Sequence, residues 1–269
     1  MYKWIKKDVD EQGVCTVTLD RAPVNAVNQE MYAEIRHVFS TMNTDRSVKV
    51  AILTGAGPRA FCGGNDLQEF RSLSPYNGDD RMRLVREAFF SIYDCAVPVI
   101  GAINGPAIGT GLGLAANCDV LFAAETATFG LPEINVGVLG GGAFGARMAG
   151  PFVMRRMFFS GEPISAEEMA QHGAVSQVVP AADLMKTVQT FAEGIAGRSS
   201  DAVRLAKLGL NLCESMDIKN GYTMEQTFTA RLSGYPAAKE SLSSILEHRS
   251  PDFASLPVEV DPVPTPDHL

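Results

Sequence analysis

The sequence predicts an α/β protein on three observations: short β-branched runs alternate with amphipathic helical patterns through the first half, they recur at irregular intervals, and the texture turns helical after residue 166. Val14–Leu19 is the first clear strand, pleating Cys15, Val17 and Leu19 to one side. Apolar residues at 31, 35, 38, 39 and 42 then predict a helix over Asn28–Met42, with Asn28 as its cap. Val48–Leu53, Val97–Ile103 and Val120–Ala124 are further strands. A helix over Arg81–Tyr93 carries Met82, Val85, Phe89 and Ile92 on one face. Beyond them, helices are expected at Ala166–His172, Ala182–Ala196, Asp201–Glu214 and one long stretch from Asn220 to Arg249, interrupted early by a strand over Ala174–Val179. This divides the chain into a core at 1–195, a helical C-terminal region at 196–253 and a tail at 254–269, whose four prolines predict flexibility.

A chain of 269 residues, 46% apolar and 20% charged, needs no staples to fold. Lys and Arg number 23 against 31 Asp and Glu, a formal charge of −8. That sign excludes a nucleic-acid coating protein or a polybasic membrane binder, so an anionic ligand has to be met by local charge or backbone dipoles. Cys15, Cys62, Cys95, Cys118 and Cys213 form no C-x-x-C pair, which argues against a disulfide framework and a metal site. The start, Met1–Lys7, lacks the apolar core of a signal peptide, and no run reaches 18 apolar residues; a soluble cytoplasmic protein with no membrane partner is expected.

Three segments carry chemistry. TGAGPRAFCGGNDL at 54–67 and INGPAIGTGLGLAANCD at 103–119 each follow a strand and lead into a helical pattern, so their glycines let backbone approach a ligand and their helix starts offer free N–H groups. Tight packing of helix on sheet is the plainer explanation of either loop. A dinucleotide site is disfavoured, because Gly109-x-Gly111-x-Gly113 is not the G-x-G-x-x-G fingerprint and no acidic residue follows at the right distance. In ATFGLPEINVGVLGGG at 127–142, Glu133 is a lone carboxylate in an apolar, glycine-rich run. Burial there raises its pKa, as a general acid/base near neutral pH requires. Capping a turn or pairing with Arg147 are the other uses open to it.

Taken in order, these segments resemble the crotonase (enoyl-CoA hydratase/isomerase) superfamily. The likeness begins at LDRAPVNAVN (19–28), runs through AFCGGNDL (60–67), NGPAIGTGLGLAANCD (104–119) and FGLPEINVG (129–137), continues over 161–175 and reaches RSPDF at 249–253. It implies a crotonase-like spiral of ββα turns, a helical C-terminal region that builds homotrimers or hexamers, and a coenzyme A thioester as substrate, with no separate cofactor and no metal. By position, the N–H groups of Gly63 and Thr110 would hold the thioester carbonyl, and Glu133 would move protons. Thr110 stands where the family usually has glycine. Val24, Asn25, Ala26, Arg59 and Gly64 would hold the adenine and pantetheine portions, with Phe253 covering the adenine of a neighbouring subunit. Ala60, Cys62, Asn65, Asp66, Leu67, Gly109, Gly113, Pro132 and Gly141 complete the implied ligand-binding set.

The sequence departs from the family's hydratases at one point. Those enzymes carry two glutamates; the second matches Glu133, whereas the first falls on Gly113. Water addition uses both, while a single base suffices to take a proton from one carbon and return it to another. Double-bond isomerisation is therefore expected over hydration. Glu133–Gly137 is also similar to the run in hydroxycinnamoyl-CoA hydratase-lyases, which keeps C–C cleavage or hydrolysis of an aromatic or branched acyl-CoA open, as it does a CoA-ester binding protein without catalysis. Phe70, Leu73, Met82, Leu84 and Phe89, with Phe144, are the candidates to line an acyl pocket, and at least half of them are expected to be plain core. Cys62 and Cys118 lack a histidine neighbour and read as buried fillers.

Overall fold

The computed structural model describes residues 2–253, 255 and 256; the expected flexible tail lies, apart from Ser255 and Leu256, outside the described residues. The chain opens with an antiparallel pair, β1 (Ile5–Val9) and β2 (Val14–Leu19). Then come α1 (Gln29–Thr41), β3 (Val50–Gly55), α2 (Leu67–Phe70), α3 (Gly78–Tyr93), β4 (Val99–Ile103), β5 (Ala107–Ile108) and α4 (Thr110–Ala116). After β6 (Val120–Ala124) and β7 (Thr128–Gly130), a 3-10 turn spans Pro132–Val136, and α5 (Gly142–Ser160) bends at Gly150-Pro151. The rest is β8 (Ile164–Ser165), α6 (Ala166–Gln171), β9 (Gln177–Val179), α7 (Leu184–Ala196), α8 (Ser200–Cys213), α9 (Ile218–Leu232) and α10 (Pro236–Leu246).

The main sheet runs β1-β2-β3-β4-β6-β9, parallel from β2 onward. Its central strands are buried on both faces, which is why VAILTG and VIGAI read as unbroken apolar runs. Pleating still sorts the side chains: Cys15, Val17, Leu53 and Ile103 join the core under α1 and α3, while Val14, Ile52, Ile100 and Phe122 pack on Leu184, Val188 and Ala192 of α7. Asn28 caps α1 as expected, its Oδ1 accepting the Met31 amide at 2.9 Å.

Several elements differ from the sequence reading. The stretch 220–249 is two helices, because Ser233, Gly234 and the start of α10 at Pro236 end the first and restart the second. The strand expected at 174–179 shrinks to Gln177–Val179. A second sheet, β5-β7-β8, has strands of two or three residues, too short to leave a period-2 pattern. It matters, because it sets the loop after β5 beside the segment after β7.

Helix α8 is tied to the core by two buried cations. Arg204 donates to the carbonyls of Met42, Asn43, Asp45 and Val48, and Lys207 to those of Ile92 and Val97 and to Asp119 Oδ2 at 2.8 Å. The carbonyls of Met42, Asn43 and Ile92 lie at the C-terminal ends of α1 and α3, where unpaired acceptors and the helix dipole both favour a cation, and those of Asp45, Val48 and Val97 lie in the links to β3 and β4. No helix of the described residues is long and apolar enough to cross a membrane. All five cysteines are free, and the described residues hold no cluster of three or more His, Cys, Asp or Glu side chains suited to a metal.

Candidate active site

A cavity of about 280 Å³ opens where the two glycine-rich loops meet the segment after β7. One wall is Gly63, Gly64, Asn65 and Leu67; the second is Ile108, Gly109 and Thr110; the third runs from Pro132 to Gly141 through Glu133 and Asn135. Phe70, Met82, Val85 and Phe89, from α2 and α3, close it with apolar surface. Of the residues expected to select the acyl group, Phe70, Met82 and Phe89 are in this wall. Leu73 and Leu84 face a separate cleft, and Phe144 lies behind the wall, edge-on to Phe89 with ring centroids 5.5 Å apart.

The loops are stitched together in parallel. The Cys62 carbonyl accepts the Ile108 amide at 2.9 Å, and the Gly109 amide donates to Gly130 at 2.8 Å. Glycine is required at 109: its φ is +56°, and a Cβ there would stand 2.7 Å from Glu133 Oε1.

The expected donor at Gly63 is corrected by this geometry, since its N–H donates to the Val24 carbonyl at 2.8 Å and is not free. Two residues on, the bonding skips Asn65: the Val27 amide donates to Gly64 and the Asp66 amide to Val27. In a parallel bridge the intervening residue turns its own N–H away from the partner segment, and Asn65 lines the cavity. Neither the Asn65 amide nor that of Thr110, the first residue of α4, has an acceptor among the described residues. The Gly64 amide is likewise without an acceptor, but the bridge turns only that of Asn65 away from Val27, which makes Asn65 and Thr110 the candidate pair.

Glu133 sits in the 3-10 turn beside Gly109. Its Oε2 is buried with no hydrogen-bond partner, and desolvation raises its carboxyl pKa above the usual value, opposed by its own backbone amide. The salt link to Arg147 does not form; that guanidinium pairs with Glu214 and donates to Ala116.

The other expected ligand residues divide. Gly64, Asn65, Leu67, Gly109, Thr110, Pro132 and Gly141 line the cavity with Gly63 and Glu133. Gly113 does not, because the Phe89 ring covers it: a Cβ at 113 would lie 2.5 Å from Phe89 Cζ. Asn25 is a buried staple, its Nδ2 donating to Ala56, Ala60 and Phe61 and its Oδ1 accepting from Arg21, so its side chain is not available to a ligand. Asp66 caps α2 and pairs with Arg21, which also donates to the Ala26 carbonyl. Val24 packs over Gly63, Ala60 is buried, and Arg59 is exposed on the same loop. Cys62 is wholly buried, with its thiol pushed up to about 12 by desolvation, so it is no nucleophile. Phe253 is half-buried and outside the cavity wall. Sequence reasoning missed Val85, Ile108, Val136, Val138, Leu139 and Gly140 in the wall, and Tyr32 behind it. Tyr32 was hidden among core residues of α1; a buried phenol that needs a partner was the available signal.

Residues 9–256 match the family model described as enoyl-CoA hydratase/isomerase. The chain belongs to that family. It is 33% identical over 248 residues to a (7aS)-7a-methyl-1,5-dioxo-2,3,5,6,7,7a-hexahydro-1H-indene-carboxyl-CoA hydrolase of Rhodococcus jostii, covering 92% of this chain and 96% of that one. To the 2,3-dehydroadipyl-CoA hydratase of Escherichia coli it is 33% identical over 250 residues, 90% of this chain and 96% of that one. The crystal structure of an enoyl-CoA hydratase from Mycobacterium smegmatis superposes with a TM-score of 0.90 at 30% identity, covering 94% of this chain and all of the other. The crotonase fold expected from the motifs is thus the fold of this member.

Proposed function

We propose that this family member binds an acyl-CoA thioester with its carbonyl oxygen against the amides of Asn65 and Thr110, and that Glu133 transfers a proton along the acyl chain as a double-bond isomerase. The observation that carries the reading is Glu133 itself: a half-buried carboxylate with an unpartnered oxygen, on the wall of an apolar cavity, beside two free amides. In that setting the carboxylate takes a proton from C2 of a 3-enoyl-CoA, the electron pair delocalises through the dienolate onto the thioester oxygen, and the two N–H groups stabilise that charge. Each such donor is worth about 2.7–4 kcal/mol. Return of the same proton to C4 leaves the double bond between C2 and C3. Water addition would need a second group to orient the water, and the place implied for it at Gly113 is filled by the Phe89 ring.

A second reading, hydrolysis of an acyl-CoA, is supported by the likeness to the Rhodococcus hydrolase and by Asn135, a polar residue of the cavity wall. Incubation with trans-3-hexenoyl-CoA separates the two. Isomerisation gives trans-2-hexenoyl-CoA with neither 3-hydroxyhexanoyl-CoA nor free CoA as the primary product; free CoA released ahead of any double-bond shift overturns it in favour of hydrolysis. Assembly into a homotrimer or a hexamer is part of the proposal, supported by the exposed Ile218, Tyr222, Leu242 and Ile245 on α9 and α10.

A further inference from the structure

The two free amides belong to loops 45 residues apart in sequence, and one phenol joins their side chains. Tyr32 of α1 is fully buried, with its Oη 2.7 Å from Asn65 Oδ1 and 2.6 Å from Thr110 Oγ1. A phenol has one proton to give. Asn65 Oδ1 accepts only, so Tyr32 donates to it, and the Thr110 hydroxyl must donate to Tyr32 in turn. The result is a directed chain from Thr110 through Tyr32 to Asn65. Burial raises the Tyr32 pKa, so the proton stays in place through the physiological range.

The placement of this bridge gives it a purpose. Each free amide follows a glycine, Gly64 with φ +105° and Gly109 with φ +56°. The carbonyl of each of these peptide planes is held, Gly64 by the Val27 amide and Gly109 by the Gly113 amide, and what rotation about the glycines remains would still swing the N–H groups. A donor pair polarises a carbonyl only while both hydrogens aim at one oxygen, at about 2.7–3.1 Å. Asn65 and Thr110 place a polar side chain just beyond each pivot, and both are held by the same hydroxyl. Tyr32 is in turn set by the helix that carries it and by an edge-on contact with Phe89, ring centroids 6.5 Å apart.

We infer that Tyr32 is a positioning residue, whose hydroxyl clamps Asn65 and Thr110 so that their amides converge on the acyl carbonyl. The clamp rests on the reading of those amides given above, and the test keeps the two apart. The probe is hexanoyl-CoA labelled with ¹³C at the carbonyl, a saturated thioester with no double bond to move, observed by isotope-edited infrared spectroscopy on the full-length protein. In the wild type the bound carbonyl band moves to lower frequency than in free solution. Tyr32→Phe loses most of that displacement while the dissociation constant changes by less than about threefold. Thr110→Val cuts the other arm at constant shape and gives the same loss, even if Tyr32→Phe does not fold; Thr110→Ser, which retains the hydroxyl, keeps more of the displacement than Thr110→Val. An undiminished displacement in both Tyr32→Phe and Thr110→Val overturns the clamp alone. No binding, or no displacement in the wild type, overturns the reading of the amides and the clamp with it.

Discussion

Two of the regions that cover charge in this molecule treat it in opposite ways. On α8, the Nη atoms of Arg204 and the Nζ of Lys207 are covered by carbonyls and a carboxylate, with only Arg204 Nε lacking a partner. In the cavity, Glu133 is half-buried, and its covered Oε2 has no donor among the described residues. Burying a charge costs free energy in both places. The first region recovers it in hydrogen bonds that fasten the helical C-terminal region to the turns after α1 and α3. In the second, among the described residues, only Glu133's own backbone amide offsets it, and the carboxylate is left with a raised affinity for protons. The first arrangement fastens a helix; the second leaves a carboxylate oxygen on a cavity wall without a partner among the described residues.

This contrast can be broken by experiment, beginning where the effect is largest. Lys207→Met strands Asp119 and the carbonyls of Ile92 and Val97, and is expected to lower stability by about 3–5 kcal/mol in denaturant titration. A loss under 1 kcal/mol would mean that these bonds do not anchor α8. Gly113→Ala pushes a methyl into the Phe89 ring and should cost about 1–3 kcal/mol. Combined with Phe89→Leu the penalty should shrink, and strict additivity in the double-mutant cycle would show that the two positions do not touch.

The smallest effect has the opposite sign. Because burial raises the Glu133 pKa in the folded state, its ionised form opposes folding above that pKa. Glu133→Gln is therefore expected to gain about 1 kcal/mol of stability near pH 7. The gain fades as pH falls through the raised folded value toward the ordinary 4.5, where both folded and unfolded chains bind the proton. A variant less stable than the wild type at pH 7 would imply a partner for the carboxylate. By the same shift, activity that needs the ionised base has an acidic limb above 4.5, and a limb at or below that value contradicts it.

Much of the core was legible, because periodicity and capping are local. The β2 pleat, the α1 cap and the apolar β3 and β4 runs all follow from residues within one element. The place of Glu133 on the cavity wall, without a salt link to Arg147, follows from its apolar, glycine-rich surroundings in the sequence. The donor pair was half legible. Gly63 was implied by its position in the family motif, yet whether an N–H is free depends on what lies across the bridge, and Val24 takes that one. The free amide belongs to Asn65, whose side chain gave no such signal. Tyr32 was illegible for the same reason, as its partners lie 33 and 78 residues away. The short strands of the second sheet and the break at residues 233–236 were set by tertiary pairing and by one glycine and proline inside an otherwise helical pattern.

The central claim is that Glu133 exchanges protons with the carbon next to an acyl carbonyl. Incubating the protein with hexanoyl-CoA in D2O and following deuterium at C2 by mass spectrometry tests it without choosing among final products. The wild type should incorporate label, and Glu133→Gln should do so about 10²- to 10⁴-fold more slowly while still binding the thioester. Incorporation at the wild-type rate in Glu133→Gln would contradict the claim.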